Sequence, residues 1–482
     1  MAGGTNVSLT TAFIDLSTFD EIEAFLYGGL SVNRFRKTIR RSAWFTIIAA
    51  QLNKVGTTGD FDSEMQAVFS RAGDYVRDCW LRVELPEIRT NNGYQARWTR
   101  NIGHNLIETA ELMYNDLVVN RLTSYHLDFL TQFCGNAGKT EGYNYMIGNR
   151  DELVNPYVLY ADNFINATNP VPLPKTVLNV PLPFYFTRDP SDAILQAACP
   201  FNDIKVHIRF RRYQDLLVVD ELSGNLDANT QVDTRQLILH SVPNYQQWLA
   251  TQNPKLQSCS VWAHYAVIPN ADRERIAEEP DIDTLIEQVQ HIAPSQYNPL
   301  TSDTKDLELR FAHSIRALFF AMRNTTLANE WSNYQTHPTR AQSSGYGIDF
   351  APPGVKNPVS RAVLQYENVD RVNMYSDYFT HVAPFYTCPM IPREIGYHLL
   401  PYCNSLCSTQ PDGSTNYARL SSVHLQLHGS DIAKAQAGEV NTQVAPHAAT
   451  YVVNPARFEA VVTASSLTIL RMSAGSAGFP VL

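Results

Sequence analysis

The second half of the chain repeats landmarks of the first half in the same order, and this repetition limits the fold more than any other feature. Three pairs of segments match: His104 with His313, Pro183-Phe184-Tyr185 with Pro384-Phe385-Tyr386, and residues 204–210 with residues 423–427. Each histidine opens an apolar run that reaches an asparagine, at Asn115 and Asn324. The offsets, 313−104=209, 385−184=201 and 423−204=219, differ only by loop lengths. The pattern predicts a tandem duplication of one domain.

The length of the chain agrees with two domains. A chain of 482 residues is too long for one hydrophobic core and suits two domains of about 200 residues each. Hydrophobic residues at 44% and charged residues at 18% are typical of an ordered globular protein. The 27 prolines, 24 tyrosines and 22 phenylalanines supply strand formers and turns, which favours an all-β fold.

Composition and the positions of turn-forming residues divide the chain into four parts. We predict an amino-terminal arm with a short helix at 1–29, a first domain at 30–213, a connecting segment at 214–255 and a second domain at 256–482. The second domain is expected to open with a strand at 260–267. A loop rich in Ser, Thr, Gly and Pro at 329–358 is expected to form exposed surface.

Periodicity predicts several local elements. Residues 204–210 alternate apolar and charged side chains, which indicates a half-buried strand in a sandwich of two sheets. Two spacings of three and four residues predict helices, one at Leu122, Tyr125, Phe129 and Phe133 and one at Ile282, Leu285, Ile286 and Val289.

The amino-terminal helix carries one apolar stripe, formed by Ile22, Phe25 and Leu26. Thr18 and Glu21 form a candidate capping box, and Gly28-Gly29 is expected to end the helix. The stripe must be buried against its own domain or against a neighbouring protein, and the sequence leaves both open. It is the candidate assembly site.

The charge argues against a protein that wraps nucleic acid. The net charge is −9, whereas phosphate binding needs clustered Lys and Arg. One basic run (Arg34, Arg36, Lys37, Arg40, Arg41) could touch nucleic acid or an acidic partner, but a solvated strand edge explains it more simply. No direct binding to nucleic acid is expected.

Seven scattered cysteines and the lack of a secretory signal at the start predict synthesis in a reducing cytoplasm. The densest apolar stretch, residues 44–50, is too short for a membrane helix.

No motif for catalysis or cofactor binding stands out. Residues 135–140 (Gly-Asn-Ala-Gly-Lys-Thr) resemble the tail of a phosphate-binding loop, but Phe133 stands where the first glycine is needed. Cys403 and Cys407, with His398 close by, could contribute to a metal site, but buried thiols are the simpler interpretation. We therefore expect no catalytic residue, no metal and no cofactor.

Several segments resemble the major capsid proteins of nucleocytoplasmic large DNA viruses, most closely the iridovirus branch. The most specific is Gly413-Ser414-Thr415-Asn416-Tyr417-Ala418-Arg419-Leu420. The others are Phe13-Ile14-Asp15-Leu16, Leu26-Tyr27-Gly28-Gly29, Trp44-Phe45-Thr46, Arg97-Trp98-Thr99, Asn115-Asp116, Tyr366-Glu367-Asn368, and residues 71–75, 143–149, 182–186 and 478–482. The resemblance spans nearly the whole chain and fades at 214–255 and 329–358.

The resemblance implies an all-β tandem double jelly roll, two eight-stranded β-sandwiches with short helices in loops. It implies a homotrimer that forms a pseudo-hexagonal capsomer of an icosahedral virion capsid, assembled in the host cytoplasm. Residues 1–29 would lie on the inner side of the shell, near minor capsid proteins and an inner viral membrane. The loop at 329–358 would contribute to the outer towers.

A structural role without catalysis is therefore the leading interpretation. The alternative is a bicupin-like enzyme or a sugar-binding protein with two jelly rolls, because a fold does not fix a function.

Overall fold

The computed structural model describes residues 9–27, 35, 37, 39, 42–56, 59–90, 94–154, 172–223, 236–239, 254–277, 281–336, 356–438, 442–444, 450–452, 455–473 and 475–480. The chain divides into two units, Met1–Trp44 and Phe45–Leu482. No helix in the described ranges is long and apolar enough to cross a membrane.

The first unit contains two helices, α1 (Leu9–Ser17) and α2 (Glu21–Leu26). The capping box predicted at Thr18 and Glu21 is wrong, because Thr18 Oγ1 instead donates to the Asp15 carbonyl at the end of α1. Asp20 and Glu23 form the box. Gly28 and Gly29 lie outside the described residues, as do four of the five residues of the basic run.

The larger unit begins with a β-sandwich. One sheet has the order β1-β13-β4-β8 with β9 beside β4, the other β2-β3-β10-β6-β7, and a small sheet has the order β12-β11-β5. The strands are β1 (Thr46–Gln51), β2 (Asn53–Val55), β3 (Glu64–Val68), β4 (Tyr75–Leu85), β5 (Tyr94–Trp98), β6 (Ile107–Tyr114), β7 (Leu117–Thr123), β8 (Thr176–Pro181), β9 (Ile194–Leu195), β10 (Ile204–Phe210), β11 (Leu217–Ser223), β12 (Gln236–Leu239) and β13 (Ser258–Val267).

A second sandwich follows. One sheet has the order β14-β25-β17-β20 with β15, β21 and β26 at its margins, the other β16-β22-β18-β19, and β23 pairs with β24. The strands are β14 (Asp281–His291), β15 (Ser295–Tyr297), β16 (Thr304–Glu308), β17 (Ser314–Asn324), β18 (Val359–Tyr366), β19 (Val369–Tyr375), β20 (His398–Pro401), β21 (Thr415–Asn416), β22 (Val423–Gly429), β23 (Thr442–Val444), β24 (Thr450–Val452), β25 (Phe458–Ser473) and β26 (Ser476–Gly478).

Short helices occupy the connections. They are α3 (Ile102–Leu106), α4 (Ser124–Phe133), α5 (Thr140–Ile147) and α6 (Asp151–Val154), then Tyr213–Leu216, Asn270–Ala277, Ala383–Thr387 and Asp431–Gly438, with a π-helix at Tyr378–Val382 and 3-10 turns at Ala137–Lys139, Tyr185–Thr187, Pro190–Asp192, Gln196–Ala198 and Tyr417–Arg419.

Both sandwiches have the same topology. If the principal strands of each are numbered in chain order, with β2 and β3 counted as one, the sheets read 1-8-3-6 and 2-7-4-5 in both halves. Two packed antiparallel sheets with this connectivity form a jelly roll. The tandem double jelly roll predicted from the sequence is confirmed, and each roll has its own apolar core.

Only one of the three landmark pairs marks equivalent positions. β10 and β22 are both the seventh strand of their roll, and β10 buries Ile204, Val206, Ile208 and Phe210 as predicted. By contrast, His104 precedes the fourth strand of the first roll, whereas His313 precedes the third strand of the second roll. Pro183-Phe184-Tyr185 follows the sixth strand of its roll, whereas Pro384-Phe385-Tyr386 precedes the sixth strand of the other roll. The two rolls are copies of one domain, but equivalent strands are not separated by a nearly constant number of residues.

The boundary between the rolls lies later than the sequence suggests. The strand predicted at 260–267 exists as β13, but it pairs with β1 and β4 and completes the first roll. The assignment of this strand to the second domain is therefore wrong. The chain passes between the rolls after Val267.

The helix predicted from Ile282, Leu285, Ile286 and Val289 is also wrong. These residues lie in β14, which pairs with β25 along its whole length, from Asp281 opposite Ser473 to His291 opposite Thr463. Sheet pairing outweighs the local spacing, as tertiary context often does. The other predicted helix is confirmed as α4, although Leu122 belongs to β7.

Candidate functional site

The two rolls meet at a buried junction, formed by α4 and residues 329–336 against β17, β20 and β25. α4 lies between the fifth and sixth strands of the first roll. Its Phe129 and Phe133 join Phe319, Tyr334 and other side chains of the second half in a separate apolar cluster. The Phe129 ring stacks on Phe319 at 5.7 Å and on Tyr334 at 6.0 Å. One helix of the first roll thereby supplies the contact surface for the second.

Asp128 lies on the same helix and is almost completely buried. Its carboxylate contacts His104 Nδ1 at 2.7 Å and accepts from Asn101 Nδ2 at 3.0 Å. It also accepts from Ser332 Oγ at 2.5 Å and Tyr334 OH at 3.2 Å. A buried carboxylate is tolerated only when its oxygens have such partners. Asp128 therefore ties three segments of the junction together.

Buried ion pairs cross the junction beside α4. Arg97 pairs with Glu330, Arg100 with Glu394, and Arg188 with Glu287. Burial opposes ionisation of Glu287, but Arg188 and further partners outweigh it and hold the pKa of Glu287 below its usual value. Burial raises the pKa of Glu394 against the opposing effect of Arg100. Such pairs contribute little net stability, but removal of one partner is costly.

Trp331 packs against two cations. The Arg323 and Arg211 guanidinium carbons lie 3.6 and 3.8 Å from a Trp331 ring centroid. The indole Nε1 donates to the Asp215 carbonyl at 2.9 Å, which fixes the ring. Burial, aided by the Arg323 charge, lowers the pKa of Arg211 to about 10. The stack connects the first roll (Arg211) with the second (Arg323) through cation–π contacts.

The exposure predicted for 329–358 is wrong for residues 329–336, although Lys356 is exposed as predicted. Glu330 and residues 332–336 are buried, and Asn329 Nδ2 donates to the carbonyls of Gln214 at 2.8 Å and Leu217 at 3.0 Å. Their polar groups find partners across the junction, which explains why a polar segment can be buried. Residues 337–355 lie outside the described ranges.

The sequence-predicted site residues lie elsewhere. Ile22, Phe25 and Leu26 share α2, and within that unit their side chains are 70%, 90% and 61% exposed. They are part of the first unit, whereas the junction residues are part of the second. Sequence analysis missed Asp128, Glu330 and Trp331, and the only signal was the aromatic and polar string Glu330-Trp331-Ser332-Asn333-Tyr334 inside a presumed loop.

The motifs considered for catalysis have structural roles. Residues 135–140 form a 3-10 turn and the start of α5. His398 Nε2 lies 2.8 Å from Ser376 Oγ, and Nδ1 lies 3.2 Å from the Phe320 carbonyl oxygen. Among the described residues, no three His, Cys, Asp or Glu side chains are grouped so that they could hold a metal ion.

His398 predicts a pH dependence of stability. Burial lowers its pKa to about 4, from an ordinary value near 6.5. Below pH 6.5 the His398 side chain binds a proton in the unfolded chain but stays neutral in the folded chain. The free energy of unfolding therefore falls as the pH drops from 6.5 towards 4. The difference corresponds to about 3 kcal/mol. We expect His398→Gln to flatten Tm against pH in this window, and equal slopes for the variant and the unchanged protein would contradict the assignment.

The chain matches two family models in sequence. Residues 33–268 match "Major capsid protein N-terminus" and residues 272–478 match "Large eukaryotic DNA virus major capsid protein". The major capsid protein of Costelytra zealandica iridescent virus is 38% identical over 482 residues, covering 98% of this chain and 99% of that protein. The chain belongs to this family of major capsid proteins. The iridovirus-like character predicted from the sequence is confirmed.

Further relatives of this capsid protein agree. The major capsid protein of Frog virus 3 is 30% identical and covers both chains completely. The PBCV-1 capsid chain has a TM-score of 0.65 at 18% identity, covering 93% of this chain and 100% of that chain. The Faustovirus major capsid protein has a TM-score of 0.64 at 11% identity, covering 94% of each. At these identities the structural likeness shows the fold.

The role of this capsid protein is structural. Its relatives are named as capsid proteins and its family is a capsid family, not an enzyme family. The bicupin-like enzyme or sugar-binding alternative is therefore set aside. The location that follows is the virion capsid.

The capsid protein also exposes apolar side chains. A set that we call the β19 patch lies on β19 and on the helices that follow it: Val369, Met374, Tyr375, Val382, Phe385 and Tyr386. The rings of Phe385 and Tyr386 contact each other at 5.0 Å and are 64% and 77% exposed. Clusters of exposed aromatic residues are typical of protein interfaces.

Proposed function

We propose that three copies of this chain associate into a pseudo-hexagonal capsomer, and that these capsomers tile the icosahedral shell of a large double-stranded DNA virus. The observation that carries the proposal is the repeated 1-8-3-6 and 2-7-4-5 topology. Two similar rolls in each of three chains give six similar corners. A trimer with a six-cornered outline can tile a flat facet. A trimer of chains with one roll each would have only three corners.

The junction supports this proposal because it fixes how the rolls are oriented. A capsomer with six near-equivalent corners needs both rolls of each chain at one angle. The apolar cluster around Phe129, the Asp128 hydrogen bonds and the buried ion pairs restrain that angle. Loosening the junction should therefore disturb assembly as well as stability.

We expect the β19 patch to contribute to contacts between copies. The double variant Phe385→Ser, Tyr386→Ser should weaken association at least 30-fold, because aromatic anchors at interfaces are each worth about 2 kcal/mol or more. Its Tm as an isolated chain should stay unchanged, since both side chains are exposed. The measurement is the concentration dependence of mass by analytical ultracentrifugation.

Leu300→Ser is a matched control, because Leu300 is 62% exposed and lies outside the patch. It should associate like the unchanged protein. Equal association of the double variant and this control would remove the patch from the interface.

We propose that residues 1–29 face the inner side of the shell and bind minor capsid proteins through Ile22, Phe25 and Leu26. The stripe supports this, since three exposed apolar side chains on one short helix can be buried by a partner. A nearby inner viral membrane is part of the same proposal. The net charge of −9 argues against a direct grip on DNA.

Deletion of residues 1–29 provides the test. We expect trimers to form normally while attachment of capsomers to minor capsid proteins weakens, measured by co-sedimentation of purified trimers with those proteins. The triple variant Ile22→Ser, Phe25→Ser, Leu26→Ser should behave in the same way. Loss of the trimer itself on deletion would contradict this assignment.

The cysteines support synthesis and assembly in the host cytoplasm. All seven are free in the structure, as expected in a reducing compartment. Retention of all seven thiols in newly synthesised protein, alkylated inside infected cells, is the expected result.

A further inference from the structure

The junction brings two cysteines together from opposite rolls. Cys134 lies directly after α4 and Cys407 lies between β20 and β21. Each thiol shifts the pKa of the other, as two side chains within interaction range of one another do. Arg188 Nη2 lies 3.6 Å from Cys134 Sγ and donates at 3.3 Å to the carbonyl of Leu406, the neighbour of Cys407. One guanidinium nitrogen thus contacts the Cys134 thiol of the first roll and the backbone next to Cys407 in the second.

We propose that Cys134 and Cys407 form a redox latch: a low-molecular-weight disulfide such as glutathione disulfide oxidises them to a disulfide bond that links the two rolls. The bond would join α4 to the segment after β20, across 407−134=273 residues of sequence. It would fasten the junction covalently where packing and ion pairs already hold it.

The surroundings shift the pKa values of the two thiols in opposite directions, which gives them different roles in the reaction. The hydrogen bond from Cys134, with a smaller effect of Arg188 and against the effect of burial, lowers the pKa of Cys407. The same hydrogen bond and burial raise the pKa of Cys134 well above its usual value. Cys407 is therefore the thiol that deprotonates more readily and acts as the nucleophile, and Cys134 is the thiol that resolves the intermediate.

The reaction consists of two thiol–disulfide exchanges. The Cys407 thiolate attacks one sulfur of the reagent, breaks its S–S bond and forms a mixed disulfide, while the displaced thiolate takes a proton from water. Cys134 then loses its proton to water and attacks the Cys407 sulfur, displacing the second reagent thiolate. In sum, two protein thiols are oxidised to one disulfide and one reagent disulfide is reduced to two thiols.

A cleft gives the reagent access to the Cys134 side of the junction. It has a volume of about 250 Å³, opens to solvent, and is lined by Cys134, Arg188, Lys139 and apolar side chains of α4 and α5. Both thiols are only partly buried. Lys139 and Arg188 also suit an anionic reagent such as glutathione disulfide.

Cys388 is the competing partner and therefore the control. It lies in the same region, but burial raises its pKa to about 12, so it stays a protonated thiol. Its side chain contacts Thr387 Oγ1 at 3.6 Å. The proposal requires that the bond forms at Cys134 and not at Cys388.

The test oxidises the purified full-length chain with glutathione disulfide. We expect a loss of two free thiols, a peptide pair joining Cys134 to Cys407 in non-reducing mass spectrometry, and a rise in Tm of roughly 2–5 °C, because the bond restricts the unfolded chain. Dithiothreitol should reverse all three. Stable glutathione on Cys407 without a cross-link, or a cross-link from Cys407 to Cys388, would overturn the proposal.

Three variants complete the experiment. Cys134→Ser and Cys407→Ser should each abolish the cross-link and the rise in Tm, while Cys388→Ser should keep both. The Tm of each reduced variant reports whether it folds like the reduced unchanged chain. Peptide mapping of the unchanged chain shows which two cysteines are joined, even if a variant fails to fold. A rise in Tm that persists in Cys134→Ser would also overturn the proposal.

Discussion

Glu287→Gln is expected to lower the free energy of unfolding by about 3–5 kcal/mol, as is usual when one member of a buried ion pair is removed. Glu287 pairs with Arg188, lies 3.6 Å from Arg316 and accepts a hydrogen bond from Ser465. A neutral amide would leave two cations at the junction without their shared carboxylate. The measurement is the midpoint and slope of chemical denaturation.

The pH dependence of this variant gives a second readout. The pKa of Glu287 is lowered in the folded protein, so its contribution is present above the unfolded value near 4.3 and is lost as the pH falls through the lower folded value. Glu287→Gln should therefore flatten the loss of stability below about pH 4.3.

Glu308→Gln is the matched control, since Glu308 pairs with Arg310 at 2.9 Å on the exposed surface of β16. Surface pairs contribute little, so its midpoint should not move. If Glu308→Gln shifts the denaturation midpoint as much as Glu287→Gln does, the ion pair at the junction contributes no more to stability than a surface ion pair.

Phe129→Ala should be similarly damaging, with a loss of about 3–5 kcal/mol. Phe129 is fully buried and contacts aromatic rings of the second roll on several sides: Phe319, Tyr334 and Tyr397. Truncation leaves a cavity between the rolls, because rings fixed on separate elements cannot collapse into it. Thermal and chemical denaturation measure the loss.

Phe129→Leu separates the cavity from the loss of the ring. It retains most of the apolar volume, so we expect a clearly smaller loss than for Phe129→Ala. Proteolysis between the rolls should accelerate in Phe129→Ala and not in Phe129→Leu. Equal stability of Phe129→Ala and the unchanged chain would contradict the importance of the junction.

Local pattern was sufficient for part of the fold. β10 was predictable because one face of the strand meets a core and the other meets solvent, which gives strict alternation. α4 was predictable because Tyr125, Phe129 and Phe133 share one face. The resemblance then supplied the topology, which short-range pattern does not contain.

Local pattern failed where distant segments decide the structure. β14 has helical spacing, but its eleven partners in β25 lie far along the chain. β13 follows a long connection, and only its pairing with β1 and β4 reveals that it closes the first roll. Two landmark pairs matched by coincidence, because very short motifs recur often.

The junction was hidden for the same reason. Arg97 and Glu330 are 233 residues apart in sequence, and Arg100 and Glu394 are 294 residues apart. No periodicity links such pairs. Polar residues in 329–336 resembled a solvent-exposed loop because their partners belong to the other roll.

The mass of the purified chain in solution, measured by light scattering coupled to size exclusion, tests the central claim most directly. The proposed capsomer predicts one species of about 163 kDa, three times 54.2 kDa, with a hexagonal outline in electron micrographs. A folded chain that remains at 54.2 kDa at high concentration would contradict the trimeric capsomer.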